Sequence, residues 1–393
     1  MSDRKLNLKD LQLKHKRVLM RVDVNVPLAH GVIEDDSRIL AAIPSIEYIV
    51  KQGASLILMS HLGRPQGKPD PAASLTPIAI RLSEILKKPV QMAKDCVGSE
   101  VEKIAHALKP GEILLLENLR FHPGEENPLE EPHFVQELAK LGDVYVNDAF
   151  GTAHRAHAST VLITQYFPKQ SAMGFLMETE IQKLSFLLKN PPKPFYAIVG
   201  GAKASSKIGV LKKLATLVDS VLVGGAMAFP FLKAQGVSLG ASLSEDLNTV
   251  ASLPKDQLVL PVDLVVANAF SNDARVQTLS IADGIPEGWY GMDIGPKTVI
   301  QWTGLLKDAK TVFWNGPLGV YEMPHFAKGT QAIASFLATL KAKTCVGGGN
   351  SIAAVKQMGL ADQFYHLSTG GGASLEFLEF GHLPGIDALT TAL

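Results

Sequence analysis

Four times in the second half of this chain, an apolar strand runs into two or three glycines and then into a helical pattern. The segments are AIVGGAKASSKIGVLKKL, VLVGGAMAFPFLKA, CVGGGNSIAAVKQM and LSTGGGASLEFLEF. In a parallel sheet, each such unit puts a backbone turn and a helix N-terminus at the carboxyl edge. That edge is where open α/β sheets bind ligands, and the free N–H groups there attract phosphate. One Gly-Gly turn would be an ordinary tight turn; four in one half point to a nucleotide site. None fits G-x-x-x-x-G-K-[ST] or G-x-G-x-x-G, so a P-loop is excluded and a dinucleotide dehydrogenase is disfavoured.

The first half carries strands of the same kind, VLMRVDV, SLILMSH, EILLLEN and DVYVND. Helical patterns lie between strands: IEYIVKQG, with Gly53 as its stop, and LTPIAIRLSEILKK. Apolar strands alternating with helices predict parallel sheets covered on both faces. At 393 residues the chain exceeds one ordinary core and suits two lobes. Leu176–Leu188 reads as a connecting helix, closed by the breaker NPPKP. The expected division is 1–172 and 173–382, with 383–393 returning to the first lobe.

Charge sets limits on function. Lys+Arg and Asp+Glu each number 38, so bulk charge gives no support for nucleic-acid binding. No apolar span approaches the length needed to cross a bilayer, and no secretory signal is legible at the N-terminus. Cys96 and Cys345 lie far apart with no CxxC spacing, which predicts neither a disulfide framework nor a zinc site, and they read as buried, reduced thiols. These features predict a cytoplasmic protein without nucleic-acid or membrane partners.

The basic residues that matter are local. Arg21, Arg38, Arg64, Arg120 and Arg155 flank the first-half strands, with His61, His154 and His157 among them. Arginine binds phosphate and carboxylate through a planar fork, so these residues predict a small-anion pocket. Asp23 and Asn25 suit substrate hydroxyls, though either could serve the turn before Pro27. Lys203 and Lys207, four apart after Gly200-Gly201, read as two ammonium groups on one face of a helix start. There they oppose the dipole unless an anion is bound. Glu322 could accept hydrogen bonds from ribose. No Ser/His/Asp order or HExxH motif is present.

Taken in order, RVDVNVP, DDSRI, SHLGRP, LLLENLRFHPGEE, GDVYVNDAFGTAHRAHAS, GGAK, DIGPKT, FWNGPLGVYE, VGGG, STGGGASLE and LPGIDAL resemble the phosphoglycerate kinase family over essentially the whole chain. The resemblance implies two Rossmann-like lobes joined by a hinge helix. It implies phosphoryl transfer from 1,3-bisphosphoglycerate to ADP, giving 3-phosphoglycerate and ATP with Mg²⁺, by a monomer. By resemblance, Asp23, Asn25, Arg38, His61, Arg64, Arg120 and Arg155 hold the triose. Gly201, Lys203, Lys207, Gly225, Gly291, Asn315, Pro317, Glu322, Gly348, Gly349, Asn350 and Ser351 surround the nucleotide. Arg38, Lys203 and the amides of Gly371 and Gly372 meet the moving phosphoryl group.

Three positions depart from the family pattern. Asn350 stands where an aspartate for Mg²⁺ is expected, Ser206 where an aspartate often precedes the second lysine, and Ala226 where glycine is usual. They leave one alternative: a non-catalytic nucleotide or phospho-ligand binding protein derived from this fold.

Overall fold

In the computed structural model, which describes residues 4–245 and 255–392, the chain forms two compact units. One runs to Gln182 and takes in His382 onward; the other is Lys183–Gly381.

The first unit contains β1 (Arg17–Arg21), β2 (Leu28–Ala29), β3 (Val32–Ile33), β4 (Ser55–Met59), β5 (Val90–Met92), β6 (Ile113–Leu115), β7 (Val144–Asn147) and β8 (Ser171–Met173). Its helices are α1 (Ser37–Lys51), α2 (Thr76–Leu86), α3 (Ser99–Ala107), α4 (Phe134–Ala139) and α5 (Phe175–Leu188), the last crossing the division between units. The expected boundary at 172/173 lies just before α5; the structural one lies inside it. Six strands form a parallel sheet in the order β5-β6-β4-β1-β7-β8, and β2 and β3 make a separate hairpin. β4, all five residues of which are buried, pairs with β1 and β6. Having no solvent face, it needs no polar alternation. α1 buries Ile39, Ala42, Ile46 and Ile49 in the core with α2's Ile78 and Leu82. It ends at Gly53, whose φ of 77° suits a residue without Cβ.

The second unit contains β9 (Phe195–Val199), β10 (Ser220–Val223), β11 (Leu258–Val259), β12 (Asp263–Ala267), β13 (Val276–Ser280), β14 (Tyr290–Ile294), β15 (Thr311–Asn315), β16 (Lys343–Gly347) and β17 (His366–Leu367). Its remaining helices are α6 (Ile208–Ala215), α7 (Phe229–Ala234), α8 (Pro296–Leu306), α9 (Lys328–Thr339), α10 (Gly349–Gln357) and α11 (Gly372–Phe380). The main sheet is parallel, in the order β11-β10-β9-β15-β16-β17. All four strand-glycine segments belong to it, so their turns share one edge. Its core holds Trp302, Trp314, Ile333 and Val346.

Two local readings are corrected. QLVLPVDLVV, which as one apolar run predicts a single strand, forms two: Leu258–Val259 closes the parallel sheet, whereas Asp263–Ala267 joins β13 and β14 in an antiparallel sheet. Proline at 261 interrupts the run. Lys203 and Lys207 do not share a helical face either. A 3₁₀ turn covers Ser205–Lys207, and α6 begins only at Ile208.

The chain ends on the first unit with α12 (Pro384–Asp387). Gly385 N donates to Ala153 O at 2.8 Å and Thr390 N to Ser171 O at 3.1 Å. Among the described residues no helix is long and apolar enough to cross a membrane.

Candidate active site

All strands of the first sheet run the same way, so the residues after β1, β4, β6 and β7 emerge at one edge. These are Asp23 and Asn25, His61 and Arg64, Arg120, and Arg155. Arg38 comes from the first turn of α1. Arg38 Nη1 donates to Asp23 Oδ2 at 2.6 Å. Gly63 N donates to Asn25 Oδ1 at 2.9 Å, and Gly63 O accepts from Arg120 Nη1 at 2.9 Å. Arg120 Nη2 also pairs with Glu126 at 3.1 Å. Arg64 and Arg155 are exposed. Arg64 has no side-chain hydrogen bond or ion pair among the described residues, and Arg155 Nε lies 3.3 Å from His154 Nε2.

One arginine that the sequence assigned to the anion pocket, Arg21, lies beneath this layer instead, paired inside the unit. Arg21, fully buried, reaches Ser159 Oγ at 2.8 Å and His61 Nδ1 at 3.0 Å. Glu125, also fully buried, stands 3.9 Å from Arg21 and accepts from Ser159 N and Oγ at 3.0 and 2.6 Å. A guanidinium can only donate. His61 Nδ1 therefore accepts, and the neutral ring carries its proton on Nε2. Burial, then the charges of Arg21, Arg120 and Arg38, press the His61 pKa well below its usual value. Burial, then Arg120, Arg21 and Arg155, bring His157 down to about 4. These shared influences bring Arg38, Arg120, Arg155 and His61 into one positive field. Such a field can attract an anion, and a neutral imidazole can donate to one.

That environment has a measurable cost in acid. The unfolded chain protonates these histidines near pH 6.5, before the folded one does. Between pH 6.5 and about 4 the unfolded state thus binds more protons, and stability falls as pH falls. Each such proton contributes up to about 1.4 kcal/mol per pH unit. Urea unfolding of His157→Gln is expected to show a shallower stability loss over this window than the parent protein. Parallel curves would contradict the reading.

The second unit holds a cavity of about 640 Å³, within the range that suits a small ligand. Gly201, Gly225, Gly291, Pro317, Glu322 and Asn350 line it, together with Ala226. Its apolar walls are Phe229, Leu264, Phe270, Tyr290, Met292 and Val320. Three of these walls come from the antiparallel sheet, which has no glycine signature to betray it. Asp293 also lines it, its pKa raised by burial to about 7 despite accepting from Gly329 N and Ile294 N.

At the rim the glycine turns touch backbone to backbone. Gly225 has φ 62°, and a Cβ there would lie 2.9 Å from Gly201 O. Lys207 Nζ folds back to Gly200 O at 2.7 Å, and burial lowers its pKa to about 8. Lys203 is exposed. Asn315 and Ser351 are buried outside the cavity, with Ser351 Oγ accepting from Gly316 N at 2.8 Å. Gly348 caps α10, which begins at Gly349; Gly371 caps α11, which begins at Gly372. Asn350 Nδ2 donates to Glu322 Oε1 at 2.8 Å.

An arginine-rich edge on one α/β unit, and glycine turns around an apolar cavity on another, suit a two-lobed phosphotransferase. The family model for phosphoglycerate kinase matches residues 8–381. A phosphoglycerate kinase from Moorella thermoacetica is 53% identical, covering 98% of this chain and 99% of its own. Solved structures agree. Phosphoglycerate kinase from Coxiella burnetii matches with a TM-score of 0.84 at 40% identity, and that from Pyrococcus horikoshii with 0.86 at 32%. Each alignment covers 98% of both chains. The chain belongs to the phosphoglycerate kinase family, whose members are phosphotransferases with a carboxyl group as acceptor.

Proposed function

We propose that this enzyme moves a phosphoryl group reversibly between 1,3-bisphosphoglycerate and ADP, giving 3-phosphoglycerate and ATP. The observation that carries the residue assignment is the joined cluster of Arg38, Asp23, Asn25, Gly63 and Arg120 beside a neutral His61. In this reading Arg64, Arg120, Arg155 and the His61 Nε2–H hold the triose phosphate and carboxylate, and Asp23 and Asn25 orient its hydroxyl. The cavity of the second unit takes the adenosine, with Glu322 toward the ribose. Lys207, Asn315, Gly348, Gly349 and Ser351 shape the loops that carry the phosphates.

The chemistry needs no general base. In the reverse direction the attacking atom belongs to a carboxylate with a pKa near 3.5, already ionised at neutral pH. Rate therefore comes from alignment and from stabilising charge on the group in flight. Arg38 and Lys203 supply cations, and the N–H groups of Gly371 and Gly372 supply the dipole of α11. The anion residues and the nucleotide residues belong to different units, so transfer requires hinge closure that brings the reactants in line and excludes water. The same reading makes the protein cytoplasmic and monomeric.

Mg²⁺ fits this site as an ion that brings most of its ligands with it. Asn350 offers a neutral amide oxygen, its nitrogen being engaged by Glu322, and the nucleotide phosphates and water complete an oxygen shell. When bound, the ion neutralises phosphate charge. Replacing Asn350 by aspartate is expected to lower the Mg²⁺ concentration for half-maximal activity about tenfold. A Mg²⁺ titration at fixed ATP reads this directly, and an unchanged midpoint would remove Asn350 from the metal site.

The function is tested by a coupled assay with 3-phosphoglycerate and ATP across Mg²⁺ concentrations. Ligand binding without turnover at every concentration would favour the non-catalytic alternative.

A further inference from the structure

A second cluster of ligand-bearing side chains lies in the first unit, outside the anion pocket. Asp95 and Cys96 follow β5, and His122 follows the 3₁₀ turn Leu119–Phe121 beyond β6. One carboxylate oxygen, the thiol sulfur and one imidazole nitrogen all lie within 4.8 Å of one another. A tetrahedral ion with bonds of about 2.0–2.3 Å needs its ligands roughly 3.5 Å apart, which small side-chain rotations supply. We propose that Asp95, Cys96 and His122 bind one zinc-class transition-metal ion, with a fourth position open to the adjoining cleft.

The surroundings are those of a prepared ligand set. His122 Nε2 faces Asp95 Oδ1 at 2.8 Å, while Nδ1 faces Glu131 Oε1 at 3.2 Å. Glu131 is itself held by Gly124 N at 3.2 Å, and the His122 ring stacks on Phe134 at 5.1 Å. A carboxylate behind a ligating imidazole fixes the ring and raises its basicity. Cys96 is fully buried. The open side faces a cleft lined by Asp70, Ser74, Glu117 and Phe121.

Binding a divalent ion here releases the Cys96 Sγ proton and the proton on the ligating His122 nitrogen to solvent. The mixture of thiolate, imidazole and carboxylate suits zinc or cobalt; Mg²⁺ prefers an all-oxygen octahedron.

The test uses the full-length reduced protein and one equivalent of Co²⁺ as a spectroscopic probe. Thiolate-to-cobalt charge-transfer absorption is expected, and one equivalent of Zn²⁺ should abolish it. Cys345→Ser should keep the band and Cys96→Ser should lose it. Because Cys96 is buried, His122→Gln gives an independent reading: zinc affinity, measured by competition with a chromophoric chelator, should fall about 100-fold. Glu131→Gln should cost about tenfold. Turnover with ATP and 3-phosphoglycerate reports that each variant is folded. Absence of the band, its persistence in Cys96→Ser, or unchanged zinc affinity in folded His122→Gln would overturn the site.

Discussion

Replacing Arg38 by alanine is expected to lower kcat by about 10³-fold or more, with the KM for ATP changing less than about threefold. An arginine that meets transition-state charge in phosphoryl transfer is worth about 10³–10⁵ in rate. Arg38 stands in the first turn of α1, partly exposed, with its Nη1 anchored on buried Asp23 at 2.6 Å. The anchor fixes one end of the fork and leaves the other donors for a ligand. Lysine at this position keeps the charge but loses the planar fork, so Arg38→Lys should fall between the two. Alanine also leaves the Asp23 carboxylate without its partner, a structural cost of about 1–3 kcal/mol. Urea unfolding separates that cost from catalysis. A folded Arg38→Ala enzyme that loses less than tenfold in kcat would remove Arg38 from the reacting centre.

Gly200→Ala is expected to destabilise the second unit by about 3 kcal/mol and to weaken ATP binding about 100-fold. The cause is steric. A Cβ at Gly200 would lie 2.2 Å from Pro317 O and 2.9 Å from Pro317 C. Both atoms are backbone, so no rotamer change relieves the overlap. Gly200 N also donates to Asn315 O at 2.9 Å. The methyl would therefore push the turn after β9 away from the turn after β15, and Gly201 and Pro317 both line the cavity. Gly304→Ala is the control. It lies within α8, is exposed, and has nothing within 4 Å of the added Cβ. It should stabilise the protein by up to about 1 kcal/mol. Isothermal titration with ATP and urea midpoints check both, and a Gly200→Ala protein that matches the Gly304→Ala control would refute the close approach.

The Asp148 carboxylate gives the other side of burial. It sits at the end of β7, fully buried, accepting from Met177 N at 3.0 Å in the first turn of α5. Burial raises its pKa to about 6. Its neighbour in sequence, Asn147, reads as no more than a strand end, yet its side chain caps Ala149 N. The Asp148 role is not visible in VYVNDAF, because it depends on which helix is packed above, whereas the Asn147 turn is local.

The sequence by itself determined most of the architecture. Continuous apolar runs such as SLILM can be stable only where both faces are covered, and repeated glycines at strand ends mark a ligand edge. Arg64, Arg120 and Arg155 were legible as a group because they follow strands whose ends share one edge. Other features were decided by the tertiary structure. β13 is exposed over its first three residues and only half-buried over its last two, so no alternation announced it. Lys203 and Lys207 looked like one helical face, but the chain stays in a turn and sends Lys207 back to Gly200 O. The Arg21–His61–Glu125 cluster joins three segments 40 and more residues apart. Local propensity sees hydrogen-bonding capacity and hydrophobic period within a few residues. Which charges share a buried site, which imidazole nitrogen keeps its proton, and which walls close a cavity depend on long-range packing and the desolvation that packing imposes.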